Sequence, residues 1–258
     1  MLINDICGLR KAGRGLIKGD TNEGKIKAWE DHFRKLLGEV PQVDECNIPP
    51  KETDLNISTE PFSREELFQA KKLIKENKAC GEDGIPPEVV KRCNLDDIIL
   101  DFCNNALIKQ YKPEQWSILN IVPVPKKGDL TNTNNYTGIA LSSIVAKTLN
   151  RMILNRIRPE VEKILRINQN GFRPGRSTSS HILTLRRIIE GVKARNLTAV
   201  MTFVDFKKAF DTVHRGTMIA ILRAYGIPLA IVEVINLLYT GTKAKVVTQM
   251  GRPISLRY

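Results

Sequence analysis

Two carboxylates follow a continuous apolar run near the carboxyl end of the sequence. Residues 199–204 read AVMTFV, Asp205 follows directly, and Asp211 comes shortly after. Such a run is typical of a buried central strand, and a carboxylate at its end is unfavourable to bury unless a cation offsets it. Carboxylate oxygens are ligands that Mg²⁺ prefers in phosphoryl chemistry. Asp205 is therefore a candidate Mg²⁺ ligand, with helix capping as the alternative, and Asp211 is better suited to capping or a salt bridge.

The basic side chains are concentrated in the middle of the chain. Residues 112–195 hold 15 basic and 5 acidic side chains, a balance of +10, whereas residues 1–111 hold 17 and 20, a balance of −3. Residues 196–258 hold 8 basic and 3 acidic side chains. Contacts to phosphates release counterions, so a basic block of this kind indicates a nucleic-acid-binding surface. A well-solvated basic surface is the alternative.

Composition limits the class of protein. With 258 residues, 42% of them hydrophobic, the chain can bury a core as one large domain or two small ones. No run reaches about eighteen uncharged apolar residues, and the amino terminus lacks the apolar core of a signal peptide. We therefore expect no membrane partner and an intracellular protein, nuclear or cytoplasmic and not secreted. The five cysteines form no CxxC pair, so neither a disulfide framework nor a zinc site is indicated.

Periodicity places helices around these residues. Apolar residues three and four apart predict amphipathic helices over residues 24–39, 63–78, 96–108, 142–158 and 178–195. Ser63 and Glu66 have the spacing of a capping box. The proline-containing segment 39–62 lacks periodicity and is predicted to be a linker.

Four short segments have the composition of β-strands. SILNIVPVP and YTGIALS, joined by the polar segment KKGDLTNTNN, predict a β-hairpin with a long tip. KAKVVTQ and PISLRY near the end predict two further strands. Neither contains an acid, which disfavours an unrelated Mg²⁺ nuclease with carboxylates on neighbouring strands.

Several segments together resemble a known family. FVDFKKAFDTVHR resembles motif A of the reverse transcriptases of non-LTR (LINE-type) retrotransposons. ACGEDGIPPEVVK resembles the motif that precedes the fingers, the segment from IVPVPKKGD to ILNRI resembles the first fingers motif, and NQNGFRPGRSTSSHILTLRRIIEG resembles the second. They occur in the order and at the spacing of that family from about residue 65 onward.

This resemblance implies a nucleotide and metal site. Asp205 matches the aspartate that binds both catalytic Mg²⁺ ions, and the backbone carbonyl of Phe206 is a second oxygen ligand. Phe210 matches the bulky residue that excludes a ribose 2′-OH, with a plain core aromatic as the alternative. Lys126 or Lys127, at the hairpin, matches the basic residue that contacts the incoming triphosphate.

The resemblance also implies nucleic-acid contacts. Arg173 and Arg176 lie in the glycine- and proline-containing loop where the family handles the template strand. On the preceding predicted helix, Lys147 and Arg151 lie off the apolar face and are candidate nucleic-acid contacts. The implied partners are an RNA template, a DNA primer and deoxynucleotides.

The implied fold is α+β, a partial right-hand polymerase that is mostly helical with a β-hairpin and an incomplete antiparallel palm sheet. Residues 1–60 would form an amino-terminal extension and linker. Residues 61–258 would form a partial reverse transcriptase domain, with fingers at about 61–195 and the first part of the palm at about 196–258.

Three departures from the family bear on activity. Thr137 in NYTGIA stands where most relatives have an arginine that helps to neutralise the triphosphate. The sequence ends before motifs B and C, which supply two of the three metal-binding aspartates, and it contains neither an endonuclease nor a thumb. We therefore expect a truncated RNA-directed DNA polymerase that holds Mg²⁺ weakly and is inactive by itself. The alternative is a non-catalytic nucleic-acid-binding module derived from a retroelement.

Overall fold

Helices predominate in the protein. A computed structural model describes residues 22–38, 48–49, 51–126, 128–206, 209–210, 212–247 and 254–257. Numbered in chain order, the helices are α1 (Asn22–Gly38), α2 (Arg64–Lys72), α3 (Pro87–Arg92), α4 (Asp96–Ile108), α5 (Ile144–Ile164), α6 (Thr178–Ala194), α7 (Arg215–Ala224) and α8 (Leu229–Tyr239). The strands are β1 (Ile118–Pro125), β2 (Tyr136–Leu141), β3 (Lys243–Val246) and β4 (Ile254–Arg257). The prediction of a mostly helical chain with a small sheet is confirmed.

The four strands form one sheet in the order β2-β1-β3-β4. β1 and β2 pair antiparallel, with Asn120 opposite Leu141, so the predicted hairpin is confirmed. β3 pairs antiparallel with β4 but parallel with β1, where Ile121 lies opposite Val246. The predicted antiparallel pairing therefore holds between β3 and β4, whereas β3 adds in parallel to the open edge of the hairpin and makes the sheet mixed. A palm formed from these strands stays a prediction.

Helix α1 covers this sheet. Trp29 and Phe33 stack with ring centroids 5.7 Å apart and are buried together with Ile121, Ala244 and Val246. A Cβ atom at Gly138 on β2 would lie 2.8 Å from the Phe33 ring, so the absence of a side chain there permits the close approach of the helix. The helix predicted within residues 1–60 thus packs on the hairpin, and the boundary at residue 60 stays a prediction.

The larger core lies among α2, α4, α5 and α8. It contains fully buried side chains from each helix, including Leu67, Cys103, Leu149, Met152 and Ile231. The predicted capping box begins α2: Ser63 Oγ accepts from the Glu66 N–H at 3.3 Å, and the Glu66 carboxylate accepts from the Ser63 N–H at 2.9 Å. These bonds satisfy two of the helix's free donors.

Helix α5 is longer than the predicted 142–158. It begins after the buried N-cap Ser143, whose hydroxyl accepts from the Ala146 N–H at 3.4 Å, and continues through Pro159 to Ile164. A proline removes one N–H donor without preventing the following residues from bonding. The extra turn carries Glu162 toward the loop that follows the helix.

The apolar run before Asp205 is not a strand. Residues 197–206 have no regular secondary structure, and Val200, Phe203 and Val204 are exposed. A strand requires a hydrogen-bonding partner, and within the described residues the four strands pair only with one another. The prediction of a buried central strand is therefore wrong for this structure.

Helix α6 has the predicted amphipathic pattern but no buried side chain. Its apolar residues Ile182, Leu183 and Ile188 are exposed. Periodicity thus predicted the helix correctly, whereas burial depends on packing partners that the described residues do not supply.

No described helix combines the length and the apolar character that crossing a membrane would require.

Candidate nucleotide and nucleic-acid site

The hairpin places Lys126 at the end of β1. Its N–H donates to the Asn135 carbonyl at 2.6 Å, and its side chain is exposed. Asp129 organises the tip: its carboxylate accepts from the Thr131 N–H and hydroxyl, and its carbonyl accepts from the Asn135 side chain at 2.8 Å. An exposed lysine on a hydrogen-bonded tip can reach an anion, and the triphosphate contact stays a prediction for Lys126. Lys127 lies outside the described residues.

Thr137 lies on β2 directly across from Val124. Its side chain is exposed and supplies no charge. The hairpin therefore offers a phosphate group the lysine at the end of β1 but no cation at this position.

Arg173 holds the loop 168–177 against the end of α5. Its guanidinium donates to Glu162 at 2.5 and 2.9 Å, and to the carbonyls of Arg166 and Gln169 at 2.7 and 3.1 Å. The side chain is only 6% exposed. These hydrogen bonds are the main cause that lowers the pKa of Glu162 from its ordinary value.

Arg173 and Arg176 therefore differ in position, although both were predicted to contact the template. Arg173 is engaged within the chain, because each of its three guanidinium nitrogens donates to Glu162 or to a backbone carbonyl. Arg176 is exposed. The structure gives Arg173 a positioning role in the loop and leaves the template contact as a prediction for Arg176.

Asp205 lies in the irregular segment described above. Its carboxylate is exposed and has no hydrogen bond or ion pair with any described residue. Asp211, Lys207 and Lys208 lie outside the described residues. Within the described part of the chain, no group of three or more His, Cys, Asp or Glu side chains could hold a metal ion.

Two exposed phenylalanine rings meet where the segment with Asp205 lies next to the loop 168–177, which we call the arginine loop. Phe210 is 78% exposed and Phe172 is 91% exposed, and their rings meet edge to face with centroids 5.7 Å apart. Phe172 has a φ of 61°, a left-handed conformation that is uncommon for a bulky side chain. Phe210 is thus not a core aromatic. Phe206 is also exposed, which leaves its carbonyl role a prediction.

Lys147 and Arg151 lie one turn apart on α5. Both line a cleft to which Lys75 and Lys78 also contribute, from the turn after α2. Sequence reasoning missed these two lysines. The signal was present in KLIKENK, where lysines flank an asparagine suited to a left-handed turn.

Comparison with known proteins bears directly on this arrangement. A family described as "Reverse transcriptase (RNA-dependent DNA polymerase)" matches residues 124–256, just over half of the chain. The chain belongs to the reverse transcriptase family. The matched residues of this reverse transcriptase domain include the tip and the second strand of the hairpin, the arginine loop and the segment with Asp205.

The relatives of this domain come from retrotransposons. A retrovirus-related Pol polyprotein from the type-1 retrotransposable element R2 of Popillia japonica is 29% identical over 167 residues, which are 65% of this chain and 23% of that protein. An uncharacterized 149 kDa protein of transposon TX1 from Xenopus laevis is 26% identical over 222 residues, 84% of this chain and 16% of that protein. A putative 115 kDa protein in the retrotransposable element R1DM of Drosophila melanogaster is 27% identical, over 80% of this chain and 20% of that protein.

The predicted resemblance to non-LTR retrotransposon reverse transcriptases is thereby confirmed. The chain spans only 16% to 23% of the length of these relatives. Reverse transcriptases generally use Mg²⁺, but no described cluster of side chains fits a metal ion.

Proposed function

We propose that this chain is the fingers and the first part of the palm of a retrotransposon RNA-directed DNA polymerase. The observation that carries the proposal is the family match over residues 124–256, which joins the tip and second strand of the hairpin, the arginine loop and Asp205 in one domain. Fingers at about 61–195 and palm from about 196 onward are part of the proposal, as is an intracellular location.

The proposed roles follow the chemistry of the exposed groups. Lys126 contacts the triphosphate of a deoxynucleotide, since it is an exposed cation at the end of an ordered hairpin. Arg176 contacts an RNA template, while Arg173 fixes the loop through Glu162. Phe210 faces the sugar of the incoming nucleotide, and Asp205 with the Phe206 carbonyl belongs to the metal site of the longer polymerase. Lys127 shares the role of Lys126.

The residues that the structure describes do not fit Mg²⁺ by themselves. Asp205 is exposed and belongs to no described group of three metal-ligating side chains. Transfer of a nucleotide with two metals requires several carboxylate oxygens around ions a few ångströms apart. We therefore derive no metal-dependent step from this chain and propose that it does not polymerise DNA alone.

The test is primer extension on an RNA template. We expect no extension by the 258-residue chain, extension by a longer form that includes the remaining polymerase motifs, and its loss in that form with Asp205→Asn. Asp54→Asn, the same change at another exposed aspartate, is the control and should keep activity. Activity in the short chain would contradict the metal argument, and activity with Asp205→Asn would contradict the role of Asp205.

The role of Phe210 has its own test in the longer form. We expect Phe210→Val to admit ribonucleotides, because removal of the exposed ring opens space beside a 2′-OH. Phe172→Val, which removes the neighbouring ring, is the control. Equal discrimination against ribonucleotides in Phe210→Val and the parent would contradict this role.

The second candidate function is a non-catalytic nucleic-acid-binding module. The balance of 15 basic to 5 acidic side chains in residues 112–195 favours it. Like the first candidate, this module would bind single strands with an affinity that falls steeply as salt rises. Unlike the first candidate, its longer form would not extend a primer.

A further inference from the structure

A cleft with a strongly cationic lining lies between the end of α2 and the side of α5. Its volume is about 370 Å³. Among the residues that the structure describes, four cations line it, Lys75 and Lys78 from the turn after α2 and Lys147 and Arg151 from α5, and no acidic side chain is part of the lining. Like charges repel one another, so such a concentration without counter-charges favours an anionic ligand.

The turn that carries the two lysines is held in place by other residues. Asn77, which lies between Lys75 and Lys78, has a φ of 56° and therefore a left-handed conformation. Its N–H donates to the carboxylate of Glu88 on α3, at 2.5 Å. This hydrogen bond lowers the pKa of Glu88 and holds its carboxylate against the backbone of the turn. The turn is thus ordered without an acid facing the cleft.

The other nearby carboxylates are occupied as well. Glu76 receives two hydrogen bonds from Arg92, which lower its pKa, and lies 3.5 Å from the ammonium of Lys91. Asp83 accepts from the Ile85 N–H at 3.2 Å. In the described part of the chain, none of the four cleft cations lies within 4.0 Å of a carboxylate.

Lys147 is exposed, but neighbouring protein atoms replace part of the water around its ammonium group. Burial lowers its pKa from the ordinary value, and the charge of Asp83 opposes that effect without cancelling it. An arriving phosphate would restore the electrostatic stabilisation that Lys147 has lost with its water.

The remaining lining suits a ligand with apolar surface between its charges. The aliphatic side chains of Leu73 and Leu154 line the cleft and are 57% and 38% exposed. Asn150 on α5 adds a hydrogen-bonding group among the cations. A nucleic-acid strand combines these features, because phosphates alternate with sugars and flat bases.

We propose that this cleft binds the phosphates of a single nucleic-acid strand, with Lys75, Lys78, Lys147 and Arg151 as the contacts. The inference rests on the proposed function for the identity of the polyanion, and it adds a binding site between α2 and α5 that includes neither Arg176 nor Asp205. Two of its contacts come from residues 61–111, outside the basic block 112–195.

The experiment measures binding of the whole chain to a labelled single-stranded RNA of about 12 nucleotides, within the usual site sizes for such strands. Two double variants, Lys75→Gln with Lys78→Gln and Lys147→Gln with Arg151→Gln, are titrated by fluorescence anisotropy at several salt concentrations. Each lost phosphate contact lowers the slope of log affinity against log salt by about 0.7. We expect each pair to lower the slope by about 1.4 and affinity by on the order of tenfold at about 0.1 M salt.

A third double variant, Lys27→Gln with Lys109→Gln, is the matched control. It removes the same charge from two exposed lysines on α1 and at the end of α4. We expect it to change the slope by less than half as much as either cleft pair. Equal effects of the cleft and control pairs would overturn the cleft assignment while leaving nucleic-acid binding intact. No binding by the unmodified chain would overturn both the cleft and the proposed function.

Two competitors separate the possible anions. We expect an unlabelled RNA strand to displace the probe, whereas a deoxynucleoside triphosphate or polyglutamate at the same concentration of charge does not. If the triphosphate displaces the probe from the unmodified chain but not from the cleft variants, the ligand of the cleft is a free nucleotide and the proposal of a strand is wrong. Equal displacement by polyglutamate would overturn it in favour of an acidic protein segment.

Discussion

Arg156 joins α5 to the segment before α2 through several side-chain and backbone contacts. Its guanidinium donates to Glu66 at 2.5 and 2.8 Å and to the carbonyls of Ser58, Glu60 and Pro61, and it lies 4.1 Å from the centroid of the Phe62 ring. The side chain is 7% exposed. It therefore fixes the segment before α2 against α5, although it belongs to the basic block that charge counting assigned to nucleic acid.

Replacing Arg156 with alanine should lower the free energy of unfolding by about 3 kcal/mol, because it leaves Glu66 and three carbonyls without their donor. Arg187→Ala, which removes an exposed arginine 3.2 Å from Glu190, is the control and should cost about 0.5 kcal/mol or less. Urea unfolding followed by circular dichroism measures both. Similar losses in the two variants would contradict the role of Arg156.

The same ion pair predicts a pH dependence. Burial raises the pKa of Glu66, but hydrogen bonds from Arg156 and from the Ser63 backbone outweigh it, and the pKa is lowered from 4.5. A carboxylate with a lowered folded pKa stabilises the fold above its unfolded pKa and loses that contribution as pH falls. The urea concentration at the unfolding midpoint should therefore decrease as the pH is lowered from about 6 to about 3. It should decrease less steeply in Arg156→Ala. Identical slopes in both proteins would contradict this assignment.

Cys103 should be inert toward alkylation in the folded protein. Burial raises the pKa of its thiol to about 12, so little of the reactive thiolate is present near pH 8. The exposed Cys93 is the internal control and should react at once. Labelling with iodoacetamide, followed by mass spectrometry with and without urea, measures each site. Labelling of Cys103 at the rate of Cys93 without urea would show that the core opens readily.

At the scale of elements, the start of α5 depends on close contact with the preceding loop. A Cβ atom at Gly81 would lie 2.5 Å from the backbone of Ser142 and of Ser143, the N-cap of α5. Backbone atoms cannot move away as a flexible side chain does, so the chain must shift. The glycine in ACGEDG thus positions the helix that carries Lys147 and Arg151.

Gly81→Ala should destabilise the protein by about 2 kcal/mol through this clash. Gly191→Ala is the matched control, because the added methyl group in α6 meets no atom within 4 Å and alanine favours a helix. Thermal unfolding of both variants measures the difference. A Gly81→Ala protein as stable as the Gly191→Ala protein would contradict the close contact.

Stability is unevenly distributed over the whole molecule. α5 contributes fully buried Leu149 and Met152 to the main core, whereas α6 has no buried side chain and is followed by the exposed residues 197–206. Segments with few buried contacts open at low free energy.

Limited proteolysis should therefore distinguish these two regions. Of the sites in α5 and in residues 178–206, we expect trypsin to cleave first after Lys193 or Arg195, because that end of α6 is exposed. Arg156 and Arg151 in α5 should be cleaved only after the core unfolds. Mass spectrometry of the early products identifies the order, and early cleavage within α5 would contradict it.

Local patterns in the sequence determined the helices, their start signals and the hairpin. The Ser63–Glu66 box, the apolar spacing of α4 and the β-strand composition of β1 and β2 involve residues close along the chain, so the interactions that they predict form locally. The family motifs also lie in continuous segments, which is why the reverse transcriptase family was predicted correctly.

Only the tertiary structure decided which charges face solvent and which residues meet. Arg156 pairs with Glu66, ninety positions earlier, and Arg173 turns inward to Glu162, so two arginines of the basic block hold the fold. Lys78 and Lys147 line one cleft although a hairpin separates them in the chain. Residues 199–204 are exposed. Their hydrophobicity indicates that a strand here could be buried, but burial depends on a partner from elsewhere in the chain.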